Sequence, residues 1–225
     1  MLLIGIDDAG RGPVLGPMIL AGVLMNSEQE SIVKEAGAKD SKLLVHEKRV
    51  ALAKIINENC IKSKVVLASP DEIDSAVNAG KEANLNTLEA KKMAEVINEL
   101  NPKTESVKVI VDCPSINILS WRAKLISFIE HPFNLEINCE HKADFNYAVV
   151  SAASILAKVA REEEVEKLKK KYGNLGSGYP ADPTPKEFQR KYGKSMANEG
   201  IFRKSWATWK NLFGEKVSKK QKKLF

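Results

Sequence analysis

Asp7 and Asp8 come directly after the apolar run Leu2–Ile6, and Asp112 comes directly after Val107–Val111. An alternating α/β chain builds its sites this way, because ligands bind at the carboxyl edge of a sheet and not along its middle. Acids without Cys or His company suit a hard, oxygen-preferring cation, so Mg²⁺ or Mn²⁺ fits better than Zn²⁺. Adjacent strand residues point to opposite faces. Asp7 and Asp8 can therefore serve one site only where the strand ends or bulges, and Gly10 and Gly12 favour an ending there. Asp is also abundant in turns and caps, and pattern alone leaves that reading open.

The segment Gly10-Arg11-Gly12-Pro13 lacks the Lys and the spacing of a phosphate-binding P-loop, so nucleotide hydrolysis is not indicated. Its glycines either let backbone N–H groups approach a ligand closely or simply turn the chain. His46, His131 and His141 have no metal-ligand spacing and read as structural or surface residues.

The elements that must position these residues follow from periodicity. Leu2–Ile6 and Met18–Leu24 read as strands joined by a Gly/Pro-rich turn, and Val107–Val111 and Leu135–Cys139 as two further strands. Leu52, Ile55 and Ile56 recur at helical spacing within 43–59. Ser69-Pro70-Asp71-Glu72 has the form of a capping box with Pro at the first helical position. A helix from about Asn86 to Leu100 should turn Leu85, Leu88, Val96, Ile97 and Leu100 inward, and a long one should span Tyr147 to Lys171 and stop at Gly173. Thr184-Pro185-Lys186-Glu187 repeats the cap logic and opens a helical tail carrying Trp206 and Trp209. Strands alternating with helices give an α/β layered fold. The Gly/Pro cluster around 176–183 marks a boundary, with one domain over 1–178 and a C-terminal helical extension with a basic tail over 179–225.

The 225 residues are long enough for a full core, and 44% hydrophobic with 28% charged content is ordinary for a soluble globular protein. A net charge of +6 agrees with a polyanionic partner without requiring one. Beyond residue 200 there are eight Lys or Arg against the single acid Glu215. Cys60, Cys113 and Cys139 are widely spaced with no CxxC pattern, which argues against disulfides or structural zinc and for reduced thiols in the cytoplasm. Met1–Ile6 has no basic leader, and the apolar run 14–25 is broken by Gly16, Pro17 and Gly22 and is too short to cross a bilayer.

The stretch Gly5-Ile6-Asp7-Asp8-Ala9-Gly10-Arg11-Gly12-Pro13-Val14-Leu15-Gly16-Pro17 resembles the opening signature of the ribonuclease HII family, in particular its archaeal branch. Later blocks resemble the family in the same order. They are Lys39-Asp40-Ser41-Lys42, Asn84-Leu85-Asn86, Val111-Asp112, His141-Lys142-Ala143-Asp144, the run from Val150 to Lys158 and the run from Gly176 to Pro183. The family's first block carries Asp-Glu where this chain carries Asp7-Asp8, a side chain shorter by one methylene.

The resemblance implies a ribonuclease H-type mixed sheet flanked by helices, with a small helical C-terminal part. It implies hydrolysis of the RNA strand of RNA/DNA hybrids, and cutting at ribonucleotides embedded in duplex DNA, to leave 3′-hydroxyl and 5′-phosphate ends. Asp7, Asp8, Asp112 and Asp144 would hold two Mg²⁺ or Mn²⁺ ions, one activating water and the other stabilising the leaving oxygen. The Gly10-Arg11-Gly12 backbone and Tyr179 would sense the ribose 2′-hydroxyl. Lys42, Lys142, Lys158 and Arg161 would contact phosphates, the last two sharing a helix face. The tail Gln221-Lys222-Lys223-Leu224-Phe225 resembles a shortened sliding-clamp-binding peptide, against the plainer reading of a basic disordered end. A monomer is the expected state. Two other readings fit less well: a non-catalytic duplex-binding module with structural acids, and another two-metal nuclease of this fold, such as a junction resolvase.

Overall fold

Five strands form one mixed sheet in the computed structural model, which describes residues 1–38, 44–80, 84–177 and 182–214. In chain order the elements are β1 (Leu2–Ala9), β2 (Met18–Asn26), α1 (Ser27–Glu35), α2 (His46–Asn59), β3 (Lys62–Ala68), α3 (Pro70–Asn78) and α4 (Leu85–Leu100). They continue with β4 (Val107–Asp112), α5 (Ile118–Ser127), β5 (Leu135–Glu140), α6 (Ala143–Asn146), α7 (Ala148–Tyr172), α8 (Thr184–Tyr192) and α9 (Ala207–Phe213). The spatial order is β3-β2-β1-β4-β5. β1 and β2 pair antiparallel, as do β2 and β3, while β1, β4 and β5 run parallel and end at the same edge.

Side chains alternate across β1 because the strand period is two. Ile4 and Ile6 enter the core formed with Met93, Val96 and Ile97 of α4 and Trp121 of α5. Leu3 and Ala9 enter the opposite core, under Val149, Val150 and Ile155 of α7. At Gly5 a Cβ would lie 2.2 Å from the Val149 carbonyl oxygen, so glycine is what lets α7 settle directly on β1.

Local signals account for the helix ends. Ser69 and Glu72 form the expected capping box, with Pro70 opening α3. Asn84 caps α4 by accepting from the Thr87 amide, and α4 buries Val96, Ile97 and Leu100 while Leu85 and Leu88 pack partly buried against the same core. α7 ends at Gly173, whose φ of 88° only glycine adopts freely.

The structure corrects several expectations. β1 does not end before the acids but continues through Asp7 and Asp8 to Ala9. α1, β3 and α5 were not anticipated. β3 is an edge strand, and the first three of its seven residues, Lys62, Ser63 and Lys64, are polar. α8 is not capped by Thr184, which is its first residue. Asp182 instead accepts from the Thr184 amide at 2.9 Å. Lys39–Leu43, the 178/179 boundary and the tail peptide 221–225 lie outside the described residues.

A third cluster joins Val14 and Leu15 of the β1–β2 connection to Leu175, Phe188, Ile201, Phe202 and Trp209. Asp74 of α3 holds the segment before α9 by accepting from the Lys204 amide at 2.7 Å, the Ser205 amide at 2.9 Å and Ser205 Oγ at 2.6 Å. Asp74→Ala strands two backbone donors and is expected to cost about 2 kcal/mol. A thermal melt should show this as a fall of about 4–8 °C in Tm. An unchanged melt would mean that the third cluster holds the segment unaided. Among the described residues no helix is long and apolar enough to cross a membrane. The three cysteines are free thiols, two of them buried.

Candidate active site

The parallel ladder between β1 and β4 runs from Leu2↔Val107 to Ile6↔Val111 and stops there, whereas β1 stays paired with β2 as far as Ala9↔Ile19. Asp7 and Asp8 are thus held by a strand on one side only, and Asp112, the last residue of β4, ends beside them. Neither a strand end nor a bulge was needed to bring the adjacent acids to one place. The loss of the β4 partner opens the sheet edge.

Asp7 is 4% exposed and lies on the α7 side. Its Oδ1 accepts from the Asp8 amide at 2.7 Å, and its carboxylate also bonds Ser154 of α7. Burial, then the charge of Asp8, hold Asp7 well above the ordinary carboxylate pKa. Ser154 works in the other direction, and Asp112 adds repulsion. Asp8 is raised from 3.8 to about 7 by burial first and then by Glu89 and Asp112, against Arg11 and Lys158. Three carboxylates thus feel one another at the carboxyl edge of the sheet.

Asp112 Oδ1 accepts from the Ala143 amide at 2.9 Å, which ties the start of α6 to the end of β4. Asp144 follows, 4% exposed, and lines a cavity of about 450 Å³ with Glu30, Lys34, Tyr147 and Ser151. Ser151, one turn before Ser154 on α7, lines the same cavity as Asp144, but Asp144 is not among the principal charges that shift Asp7 or Asp8. The preceding residue, Lys142, is exposed and sits at φ 58°, a left-handed conformation uncommon outside glycine. Lys158 donates to Ser154 Oγ at 2.8 Å, beside the acids.

The donor set is hard carboxylate oxygen, and Asp7 and Asp8 are held toward the neutral form by burial and by the repulsion of neighbouring carboxylates. A divalent cation would relieve the repulsion and offset the burial, so these residues fit Mg²⁺ or Mn²⁺. Among the described residues no three His, Cys, Asp or Glu side chains already close into a metal cage.

Sequence reasoning missed Glu89. It is fully buried on α4 and pairs with Arg11 Nε at 2.7 Å, while Arg11 Nη2 reaches Asn86 Oδ1 at 2.8 Å. Its signal was a charge at an inward position of the helix, among Leu85, Leu88 and Val96. Arg161 departs from expectation in the opposite direction. It is 1% exposed, donates Nη2 to the Leu15 carbonyl at 3.3 Å and packs so closely on Gly10 that a Cβ there would lie 2.1 Å from its Nε. It therefore supports the 10–16 loop from beneath instead of meeting a phosphate in solvent. His141 Nδ1 meets the Cys113 carbonyl at 3.1 Å, a structural role. Lys42 and Tyr179 lie outside the described residues.

A protein-family model described as ribonuclease HII matches residues 4–209. A ribonuclease HII from Methanococcus maripaludis (strain C6) is 42% identical over 221 residues, covering 95% of this chain and 88% of that protein. The ribonuclease H2 from Pyrococcus horikoshii OT3 superimposes with a TM-score of 0.82 at 35% identity, covering 94% of this chain and 97% of that one. The ribonuclease HII in a PCNA complex from Archaeoglobus fulgidus gives a TM-score of 0.79 at 35% identity, covering 92% and 95%. The mixed sheet flanked by helices is the ribonuclease H-type architecture.

Proposed function

The chain belongs to the ribonuclease HII family and is an endoribonuclease, and from that premise we propose that it cuts the RNA strand of RNA/DNA hybrids, and ribonucleotides embedded in duplex DNA, at Asp7, Asp8, Asp112 and Asp144. The observation that carries this reading is the end of the β1–β4 ladder at Ile6↔Val111, which leaves Asp7, Asp8 and Asp112 at one open carboxyl edge of the sheet, close enough to repel one another.

These four acids would hold two Mg²⁺ or Mn²⁺ ions, which supply an activated water and charge stabilisation for in-line displacement that leaves 3′-hydroxyl and 5′-phosphate ends. Ser154 and the Asp8 amide orient the Asp7 carboxylate, and the Ala143 amide orients that of Asp112. Lys158 and Lys142 meet backbone phosphates. The Gly10-Arg11-Gly12 amides approach the ribose 2′-hydroxyl, the group that distinguishes RNA from DNA, and Tyr179 packs on the neighbouring sugar. The protein works as a cytoplasmic monomer. A sliding clamp is a partner, docked by Gln221, Leu224 and Phe225, in keeping with the PCNA complex of the Archaeoglobus relative.

The test is cleavage of a duplex carrying one ribonucleotide, with Mg²⁺ or Mn²⁺ and with EDTA. Metal-dependent cutting at the ribonucleotide is expected, and equal cutting of an all-DNA duplex would overturn the substrate assignment.

Asp8 gives a further prediction. Its backbone is fixed opposite Leu20 in a continuous ladder, so a strand shift cannot make up for the shorter side chain. Asp8→Glu should raise turnover in Mg²⁺, by about tenfold at most, because metal-site geometry responds to errors below an ångström. A fall in turnover would show that the backbone is matched to the shorter acid.

A further inference from the structure

The 10–16 loop is held by its carbonyl oxygens. Arg203, fully buried, donates Nη2 to Gly10 at 2.7 Å, Nη1 to Arg11 at 2.9 Å and Nε to Gly16 at 3.1 Å. Trp206 Nε1 donates to the Gly12 carbonyl at 2.9 Å, and its ring lies 5.1 Å from the Arg203 guanidinium carbon. The Arg203 amide donates to the Val14 carbonyl at 2.9 Å, and the Gly16 amide to that of Ile201 at 2.9 Å. One short C-terminal stretch thus fixes both the position and the rotation of the loop's peptide planes.

Rotation is the part that matters for recognition. In a trans peptide the carbonyl of one residue and the N–H of the next point in opposite directions. With the Gly10 and Arg11 carbonyls drawn onto Arg203, the Arg11 and Gly12 amides are turned away from it. Neither amide makes an intramolecular hydrogen bond among the described residues. Gly12 is exposed, and a Cβ built on it meets nothing within 4 Å, so its side of the loop is open. Apolar packing could hold the loop in place without fixing this rotation, whereas the rigid fork of a guanidinium selects it.

We propose that Arg203, backed by Trp206, is a positioning residue for ribose selectivity, which keeps the Arg11 and Gly12 amides turned toward the sugar from outside the catalytic centre. This rests on the reading that the loop meets the 2′-hydroxyl.

The experiment uses the full chain in Mg²⁺. It compares KM for a duplex carrying one ribonucleotide with Ki for an all-DNA duplex of the same sequence used as competitor. Three variants are measured: Arg203→Lys, which loses the fork; Trp206→Phe, which loses one N–H but keeps a ring beneath the guanidinium; and Gly12→Ala, which places a methyl on the open side. In all three KM should rise toward Ki while Ki stays fixed, the ratio Ki/KM falling at least about fivefold, the scale of one lost hydrogen bond. If Gly12→Ala lowers the ratio and the other two do not, the loop reads the sugar but Arg203 does not position it. If Gly12→Ala also leaves the ratio unchanged, the loop reading falls and the inference falls with it. Should Arg203→Lys fail to fold, Trp206→Phe decides alone.

Discussion

Asp7→Asn abolishes cleavage, leaves duplex binding intact and raises the melting temperature of the metal-free protein at pH 8. The three effects have one origin. Asp7 is buried against α7 and repelled by Asp8 and Asp112, so above the ordinary carboxylate range folding has either to hold a charge that its surroundings disfavour or to take up a proton. Asn keeps the shape and removes the charge, which relieves that repulsion. The same change removes a proposed metal ligand. Loss of an outer-shell partner of a ligand already reaches 10- to 100-fold, so loss of the ligand itself should exceed about a hundredfold. Lys158 and the 10–16 loop, the proposed duplex contacts, remain in place. Single-turnover cleavage, a filter-binding titration and a melt in EDTA check the three parts. A variant that cuts at the parent rate would remove Asp7 from the site, and one that melts lower than the parent would show the carboxylate to be a structural anchor.

Lowering the pH is expected to stabilise the metal-free site and to disarm it. Asp8 has a folded pKa of about 7 against an ordinary 3.8, raised mainly by burial. A group raised in this way binds its proton more tightly in the folded state than in the unfolded one. Its contribution to stability is therefore complete below about pH 4 and is lost as pH climbs through about 7. The loss is on the order of 2–4 kcal/mol. For a chain of this size that corresponds to roughly 4–16 °C in Tm. Asp8→Asn is insensitive to this titration, so in EDTA it should melt above the parent at pH 8, with the gap closing toward pH 5. Mg²⁺ should stabilise the parent at pH 8 and do little at pH 5, since a cation competes with the proton for the same oxygens. Cleavage should rise with pH over the same range. A gap between variant and parent that stays constant from pH 5 to 8 would show that Asp8 ionises normally.

Both predictions concern residues that stand out in the sequence, but the reasons behind them do not. Asp7, Asp8 and Asp112 were visible as acids following apolar runs, and the condition that the strand must end was reasonable from alternation alone. The structure meets it differently, by keeping β1 paired to β2 and withdrawing β4. Which ladder stops is a matter of strand order, and β4, whose Val107 pairs with Leu2, is brought to β1 from a distant part of the chain. Glu89 shows the same limit. A Glu on an inward helix face signals a buried charge, but its partner Arg11 lies 78 residues away.

Arg161 and Arg203 mark the boundary most clearly. In the sequence Arg161 belongs with Lys158 on a helix face that should meet phosphate, and Arg203 is one of several basic residues near the end. The fold buries both and turns them onto carbonyls of a loop formed near the start of the chain.

The sequence by itself determined the strands that carry the acids, the capping box at Ser69, the stop at Gly173 and the family signature. Each of these is written in residues a few positions apart, where backbone hydrogen bonding and side-chain period act directly. The tertiary structure alone decided which charges are buried, which carboxylates repel one another and which arginines hold the loop. Desolvation and Coulomb energies depend on what surrounds a group in space, and for this chain those surroundings are assembled from both of its ends.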